Sequence, residues 1–467
     1  MATRVLKPTD AAWIFIEKRE KPVHVASLAI FSLPEGASAT YLQDLVNEWR
    51  ARPHYAPPFN LRLRPGAVAS LLPAWQELPP EDIDLDYHFR HSALPKPGGE
   101  RELGVLISRL HSHPIDRTRP LWECHVIEGL ENNRFALYTK VHHSQIDGMG
   151  GMRLLSRIMS PDAGARDLPP PWEVGLSGGK KPEDGEADQG SLIERLVTLG
   201  REQFRSGVAA LKAIGAMAGE ARKSGPDGPA YPYSAPETIL NGKIRGKRRF
   251  ATQHYALDRI KRVAKAADAT VNDIFLGLCA ASVRRYLKEL GELPDKPLTA
   301  SVPVSVRPAD DASVGNAITT LFANLHTDIA DPVERIKAIS RTTAPAKEKL
   351  QAMSKGAIEN YTLMLMTPYM VQLMLGLGTA TRPLNNLVIS NVPGPSQVLY
   401  FNGARLEQIY PVSLLFDGQA LNITVLSYAG QFNLGFTGDR DSLPHMQRIA
   451  VYTGEALAEL EQALKLK

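Results

Sequence analysis

Two adjacent histidines followed by a carboxylate and a glycine, His142-His143-Ser144-Gln145-Ile146-Asp147-Gly148, form the stretch of this chain best equipped to do chemistry. A neutral imidazole can accept a proton from a hydroxyl and hand it on within one reaction cycle at neutral pH. The surrounding pattern predicts a strand over 135–141 running into the pair, and a Met- and Leu-rich helix over 149–159 after it. Neighbouring side chains on a strand point to opposite faces. Only one of the two rings can therefore face a cleft, while the other supports the backbone or packs inside. Asp147 follows a short turn at the foot of the helix, where a carboxylate fixes local geometry. Gly148 is expected to supply a backbone conformation that other residues resist.

Other chemistries fit the same residues less well. A single histidine in a strand is most often structural, but a His-His pair ahead of Asp-Gly at a strand-to-helix turn is an uncommon arrangement. No metal is expected, because two rings on opposite faces do not converge and no other His or Cys residues cluster at ligand spacing. Gly148-Met149-Gly150-Gly151 resembles part of a dinucleotide-binding loop, yet position 153 is Arg where that fingerprint needs a glycine.

The elements that must position the motif alternate along the chain. With 467 residues the chain exceeds one compact core, and two domains with a connector are the natural division. Residues 1–165 read as a mixed α/β domain carrying the motif, with strands over 23–31, 122–127 and 134–141 and helices over 41–50, 102–111 and 149–159. Residues 166–247 read as a linker. Pro169-Pro170-Pro171 opens a Gly- and charge-rich tract to Gly190, and a helical pattern over 192–223 follows. Residues 248–467 read as a second α/β domain. It has a strand over 249–257, an amphipathic helix over 271–290, a strand over 299–306 and a meander over 386–436. Asn402-Gly403, Asp417-Gly418 and Ala429-Gly430 are turn signals in the meander, and Ser442 is the expected cap of a closing helix.

Bulk composition narrows the class. Hydrophobic residues make up 43% and charged residues 22%, the balance of an ordinary globular chain. A net charge of +4 suits a polyanionic ligand or an anionic membrane surface, and no concentrated basic stripe argues for nucleic acid. The densest basic run, Lys243-Ile244-Arg245-Gly246-Lys247-Arg248-Arg249, reads either as a contact for phosphates or anionic headgroups or as a solvated loop. Two cysteines, Cys124 and Cys279, are too few for a disulfide framework. The first residues lack the apolar core of a signal peptide. A cytoplasmic location is expected, or a peripheral one on the inner membrane face or on lipid inclusions. The uncharged stretch over 360–381 is rich in Met and Leu but holds Pro368, Gln372 and two glycines. It reads as a buried or membrane-touching helix in preference to a spanning one.

His142-His143-x-x-x-Asp147-Gly148 matches the HHxxxDG motif of the coenzyme A-dependent acyltransferase superfamily, which includes chloramphenicol acetyltransferase and the condensation domains of peptide synthetases. The rest of the chain resembles one branch, the bacterial wax ester synthase/acyl-CoA:diacylglycerol acyltransferase family. Pro120-Leu121-Trp122, Asn272-Asp273, Ser301-Val302-Pro303-Val304-Ser305-Val306-Arg307, Gly315-Asn316 and Ser390-Asn391-Val392-Pro393-Gly394-Pro395 match that branch's elements in order. The resemblance runs from Asp10 to the C-terminal helix.

What it implies is an α/β fold of two chloramphenicol acetyltransferase-like domains, each a mixed β-sheet covered by helices, with an active-site tunnel between them. By match to the motif, His143 is the catalytic base and His142 its neighbour. Asp147 is a structural carboxylate held in an ion pair, for which Arg307 is a candidate partner. Gly148, at the motif turn, is assigned to the coenzyme A side. Asn272 has two open readings, an oxyanion donor or a helix N-cap. Pro120-Leu121-Trp122 reads as packing, and Ser390 to Pro395 as a rigid turn shaping the tunnel wall. The implied reaction passes a long-chain fatty acyl group from acyl-CoA to a fatty alcohol or diacylglycerol. It forms no covalent enzyme intermediate and uses no cofactor beyond the coenzyme A thioester substrate. Two alternatives stand beside it. One is a condensation-type acyltransferase with another acceptor or donor, although Asp441-Ser442-Leu443, the only carrier-like site noted, falls inside the second domain. The other is a non-catalytic lipid-binding module.

Overall fold

The computed structural model describes residues 3–66, 72–176, 230–305 and 318–466. The chain opens with β1 (Thr3–Val5), α1 (Pro8–Ile16), β2 (His24–Ser32), α2 (Tyr41–Arg50), β3 (Leu61–Leu63) and β4 (Ala74–Glu77). There follow α3 (Leu85–His88), β5 (Phe89–Ala93), α4 (Glu100–Ser112), β6 (Trp122–Leu130), β7 (Arg134–His142), α5 (Gly148–Ile158) and α6 (Pro171–Val174). The second part holds β8 (Arg248–Ala256), α7 (Leu257–Ala266), α8 (Val271–Leu290), β9 (Thr299–Ser305), β10 (Ile318–Asn324), α9 (Pro332–Gln351) and α10 (Lys355–Met374). It closes with β11 (Leu387–Pro393), β12 (Tyr400–Phe401), β13 (Ala404–Val412), β14 (Leu421–Tyr428), β15 (Gln431–Asp439) and α11 (Gln447–Ala463).

Two six-stranded mixed sheets carry the architecture, in the orders β12-β13-β2-β7-β6-β5 and β10-β9-β11-β14-β15-β8. In the first, β5 runs parallel to β6 and the other pairs are antiparallel. In the second, β11 lies parallel to both β9 and β14. The alternation of side chains along β2 and β7 fills two separate layers. Leu28, Ile30, Ala136 and Tyr138 pack with Ile107 of α4 on one face. Ala29, Phe31, Phe135 and Leu137 pack with Trp49 and with Leu154 and Leu155 of α5 on the other. The turn between β6 and β7 places Asn132 and Asn133 at φ of 63° and 52°, a conformation that asparagine tolerates better than most residues.

Helix α8 spans the range the sequence pattern predicts, and the reason is visible at both ends. Thr270 Oγ1 accepts from the Asp273 N–H at 3.1 Å, and Asp273 Oδ2 accepts from the Thr270 N–H at 3.0 Å, a reciprocal capping box. Gly291 ends the helix at φ 72°. Its long apolar surface, from Ile274 and Phe275 to Leu287, lies in the core of the second half.

Three sequence expectations are corrected here. Residues 386–436 do not form a meander. After β11 the chain crosses to the first sheet, where β13 pairs antiparallel with β2 (Tyr410 opposite Leu28), and only then returns as β14 and β15. Residues 400–412, drawn with the second domain by sequence, therefore belong to the first sheet. The crossing is tight: a Cβ on Gly435 would lie 1.9 Å from the Pro411 carbonyl oxygen, so only glycine lets β15 pass β13 there. The turn signals inside this region do hold, with positive φ at Asn402, Gly403, Gly418, Ala429 and Gly430. Finally, Ser442 does not cap the last helix, which begins at Gln447; its N–H donates instead to Asp439 Oδ2 at 2.9 Å. The helical pattern over 192–223 lies outside the described residues. Among the described residues no single helix is long and apolar enough to cross a membrane. The Met-rich stretch forms α10, whose Leu365, Tyr369 and Leu373 pack against Ile16, Val23 and Phe322.

Candidate active site

Strand β7 delivers the histidine pair, and three backbone contacts fix where it ends. His24 lies opposite His142 in the ladder. The His142 N–H donates to the Leu121 carbonyl and the His143 N–H to the Val23 carbonyl, each at 3.0 Å. Alternation then separates the rings. Thr139, Val141 and His143 face a cavity of about 340 Å³ between the two sheets. Lys140, on the other face with His142, sits at the end of α4 and donates to the carbonyls of Leu110 and His113.

The His143 imidazole stacks on Trp13 of α1, with ring centroids 4.5 Å apart and planes 10° from parallel. Trp13 in turn stacks on Phe416 at 6.0 Å. The cavity wall beside them is mainly apolar, with Met152, Met370, Val392 and Leu426 contributing, and Ser301, Ser390 and Thr424 adding hydroxyls. Burial pushes the His143 pKa below its ordinary value, and the neighbouring His142 adds to that. A hydrogen bond to its own backbone and the Asp147 charge oppose the shift without reversing it. The ring is consequently neutral near pH 7, the form a general base needs.

His142 is sealed inside, 1% exposed. Its Nδ1 accepts from the Ser144 N–H at 3.1 Å and lies 2.7 Å from Ser144 Oγ. Its Nε2 faces Oε2 of the buried Glu17 at 3.5 Å. Burial pushes the Glu17 carboxyl up, but the opposing pull of His142, the Val23 N–H and Arg117 leaves it below its ordinary value.

Asp147 and Gly148 both border the cavity. Asp147 caps α5, its Oδ1 accepting from the Gly150 N–H at 2.6 Å. The candidate partner Arg307 lies outside the described residues. The expectation for Gly148 is revised. Its φ is not in the left-handed region, and a Cβ there would meet Val392 Cγ2 at an ordinary 3.7 Å. The demanding glycine is Gly150, where a Cβ would press to 3.1 Å from Asp147 Oδ1 and 3.3 Å from Ile146 Cγ1. The cap reading of Asn272 is corrected: Thr270 is the cap of α8, and Asn272 stands inside the helix as its second residue. The chemistry of that pair belongs to Asp273, which closes the capping box and accepts from Thr343 Oγ1 at 3.2 Å. Ser390 to Pro393 is strand β11 and not a turn, and its Ser390 and Val392 form part of the cavity wall.

Trp122 is fully buried, donates from Nε1 to the Phe59 carbonyl at 2.8 Å and stacks on His88. Pro120-Leu121-Trp122 is thus packing that also presents the Leu121 carbonyl to His142. Sequence reading missed Trp13 and Glu17. They stand one helical turn apart around the end of α1, far from the motif in sequence, and only the register of β2 against β7 brings them to it. Among the described residues no group of three or more His, Cys, Asp or Glu side chains is placed to hold a metal ion.

Comparison with known proteins agrees with this arrangement. Residues 6–275 match the profile of the wax ester synthase/diacylglycerol acyltransferase catalytic domain, and residues 314–461 that of the WS/DGAT C-terminal domain. A Mycobacterium tuberculosis protein named as a diacylglycerol O-acyltransferase is 43% identical, covering 98% of this chain and 97% of its own length. The O-acyltransferase WSD of Acinetobacter baylyi is 39% identical over 98% of this chain and 97% of its own. The solved wax ester synthase/diacylglycerol acyltransferase from Marinobacter aquaeolei superposes with a TM-score of 0.80 at 40% identity, covering 99% of this chain and 100% of that one. A condensation domain of the calcium-dependent antibiotic synthetase shares the fold alone, with a TM-score of 0.56 at 16% identity over 99% of this chain and 96% of its own. With its paired histidines turned to opposite sides where one strand ends and both halves of the fold in place, the chain belongs to the wax ester synthase/diacylglycerol acyltransferase family.

Proposed function

We propose that this protein transfers a long-chain fatty acyl group from an acyl-CoA thioester to the hydroxyl of a fatty alcohol or diacylglycerol, with His143 as general base. The observation that carries the reading is the neutral His143 ring presented to an apolar cavity between the two sheets while His142 is locked on the opposite face. Family membership supplies the acyl-CoA donor and the alcohol acceptor.

The hydroxyl gives its proton to His143 as its oxygen attacks the thioester carbonyl, forming a tetrahedral intermediate. The intermediate collapses, the carbon–sulfur bond breaks, and the departing thiolate takes the proton back from His143. The products are the ester and free coenzyme A, and the enzyme returns to its starting state. General-base assistance of this kind contributes roughly 10²–10⁴-fold. An apolar cavity keeps bulk water away from the thioester, so alcoholysis competes with hydrolysis.

A peripheral position on a membrane or lipid inclusion belongs to the same proposal. Helix α10 sends Met366 and Met370 to the cavity wall, while Met364 and, just past the helix, Leu375 are 51% and 67% exposed. Exposed apolar side chains on an element that also walls the cavity suit uptake of substrate from a lipid phase. Co-sedimentation with anionic liposomes is expected, and a protein that stays wholly in the supernatant contradicts this part.

The activity test incubates the purified protein with palmitoyl-CoA and either hexadecanol or diacylglycerol, following thiol release and ester formation. His143→Ala is expected to lose at least about 100-fold in turnover with its thermal melt unchanged. Activity near wild type in that variant removes the base assignment. No thiol release with any alcohol favours a lipid-binding module, and turnover only with amine acceptors favours a condensation-type enzyme.

A further inference from the structure

We propose that Glu17 is a positioning residue for the HHxxxDG motif, fixing the tautomer and pose of His142 and, through a shared backbone frame, the placement of His143. This rests on the general-base reading of His143. It concerns a residue that does not touch substrate.

The geometry closes a small circuit. Glu17 directly follows α1, and its side chain is 4% exposed. Its Oε1 accepts from the Val23 N–H at 3.0 Å. The carbonyl of that same Val23 accepts from the His143 N–H at 3.0 Å. Its Oε2 faces His142 Nε2 at 3.5 Å, and neither atom has a hydrogen-bond partner elsewhere among the described residues. One carboxylate therefore grips the residue that holds the backbone of His143 and the ring that precedes it.

The proton on His142 can be placed by elimination. A backbone N–H only donates, and the Ser144 N–H points at Nδ1 at 3.1 Å. Nδ1 must then offer its lone pair, which leaves Nε2 as the ring nitrogen that carries a proton. That nitrogen faces the Glu17 carboxylate at 3.5 Å, an electrostatic contact longer than a well-formed hydrogen bond. A carboxylate buried this deeply needs compensating donors. The Val23 N–H supplies one, and the His142 ring at 3.5 Å and Arg117 Nε at 3.8 Å on the more open side add electrostatic compensation. The same anchor acts on the other catalytic neighbour. Trp13 lies one helical turn before Glu17, and its ring is the one stacked on His143. Fixing the end of α1 thus also fixes the aromatic face against which the base rests.

The test uses Glu17→Gln in the full-length enzyme. A side-chain amide has one acceptor and one donor end. Either orientation sets an N–H against an N–H, at Val23 or at His142. The variant is expected to lose roughly 10- to 100-fold in kcat, the usual scale for one misplaced hydrogen bond to a charged group, with KM for acyl-CoA and alcohol within about threefold. Glu17→Asp is expected to recover part of the loss. A second readout is independent of folding of any Glu17 variant. Nitrogen-15 NMR of histidine-labelled wild-type protein at pH 7, assigned by difference with His142→Gln, is expected to show His142 with its proton on Nε2. A His142 proton on Nδ1, or a Glu17→Gln enzyme with kcat within twofold of wild type, overturns the proposal. The tautomer is read without turnover, so its failure is distinct from a failure of the base assignment, which His143→Ala tests alone.

Discussion

Replacing Trp13 by Leu isolates what the aromatic ring does for His143. Leucine keeps an apolar side chain on α1 but removes the face lying 4.5 Å from the imidazole and nearly parallel to it. Aromatic pairs of this geometry are worth about 0.5–1.5 kcal/mol beyond burial. If that energy holds the ring in its reactive pose, its loss lowers kcat by roughly 2- to 12-fold, since each 1.36 kcal/mol is a factor of about ten. A second effect depends on pH. Burial is the largest cause of the lowered His143 pKa. A smaller side chain admits water, so the pKa moves up toward its ordinary value. A larger share of His143 is then protonated, and inactive as a base, in mildly acidic solution. The acid limb of kcat/KM should shift to higher pH, and the deficit should be greater at pH 6 than at pH 8. Thiol release measured from pH 5 to 9 for both enzymes reads both effects. A Trp13→Leu enzyme with wild-type kcat and an unmoved acid limb refutes the idea that stacking and burial by Trp13 prepare the base.

Two further outcomes follow from the same structure. Asp147→Ala removes the cap of α5 and is expected to cost about 0.5–2 kcal/mol of stability. It also loosens a helix start whose Gly148 and Gly151 border the cavity, so KM should rise alongside a lower Tm; an unchanged melt and unchanged kinetics argue against the cap. Acid should destabilise the fold well above the carboxylate range. Burial lowers His111 to about 3 and His88 to about 4, so the folded state refuses protons that the unfolded chain accepts below about pH 6.5. Stability is then full above that pH and falls as pH drops through the folded values, by on the order of 8 kcal/mol in all. Urea melts at pH 7, 6, 5 and 4 should show a falling midpoint, and a flat midpoint contradicts neutral burial of these rings.

Local pattern made much of this fold legible. Helix α2 and helix α8 occupy the ranges their apolar spacing predicts, because each has a clear apolar surface and α8 is also capped at both ends. The opposite facing of His142 and His143 followed from strand alternation alone. What pattern could not reveal was long-range pairing. Nothing in residues 404–412 distinguishes a strand that stays in its own sheet from one that leaves it, since the β-forming pattern is the same in both. Asn272 misled for a related reason. The Asn-Asp pair does mark a helix start, but the cap is two residues earlier at Thr270 and the buried side chain is Asp273. Glu17 and Trp13 carried no signal because an isolated acid and an isolated indole near a helix end are ordinary. Their importance is created by the partner that the register brings to them.

The excursion of β13 also bears on how the chain is made. Strand β2 borrows its outer neighbour from residues that emerge from the ribosome hundreds of positions later. Until they arrive, the nascent first half carries an open strand edge, the kind of surface that invites pairing with other chains. Biosynthesis should accordingly place this protein's aggregation hazard in the interval before residue 412 is released. A fragment ending ahead of β13 should need chaperone help or a supplied 404–412 peptide to remain in solution.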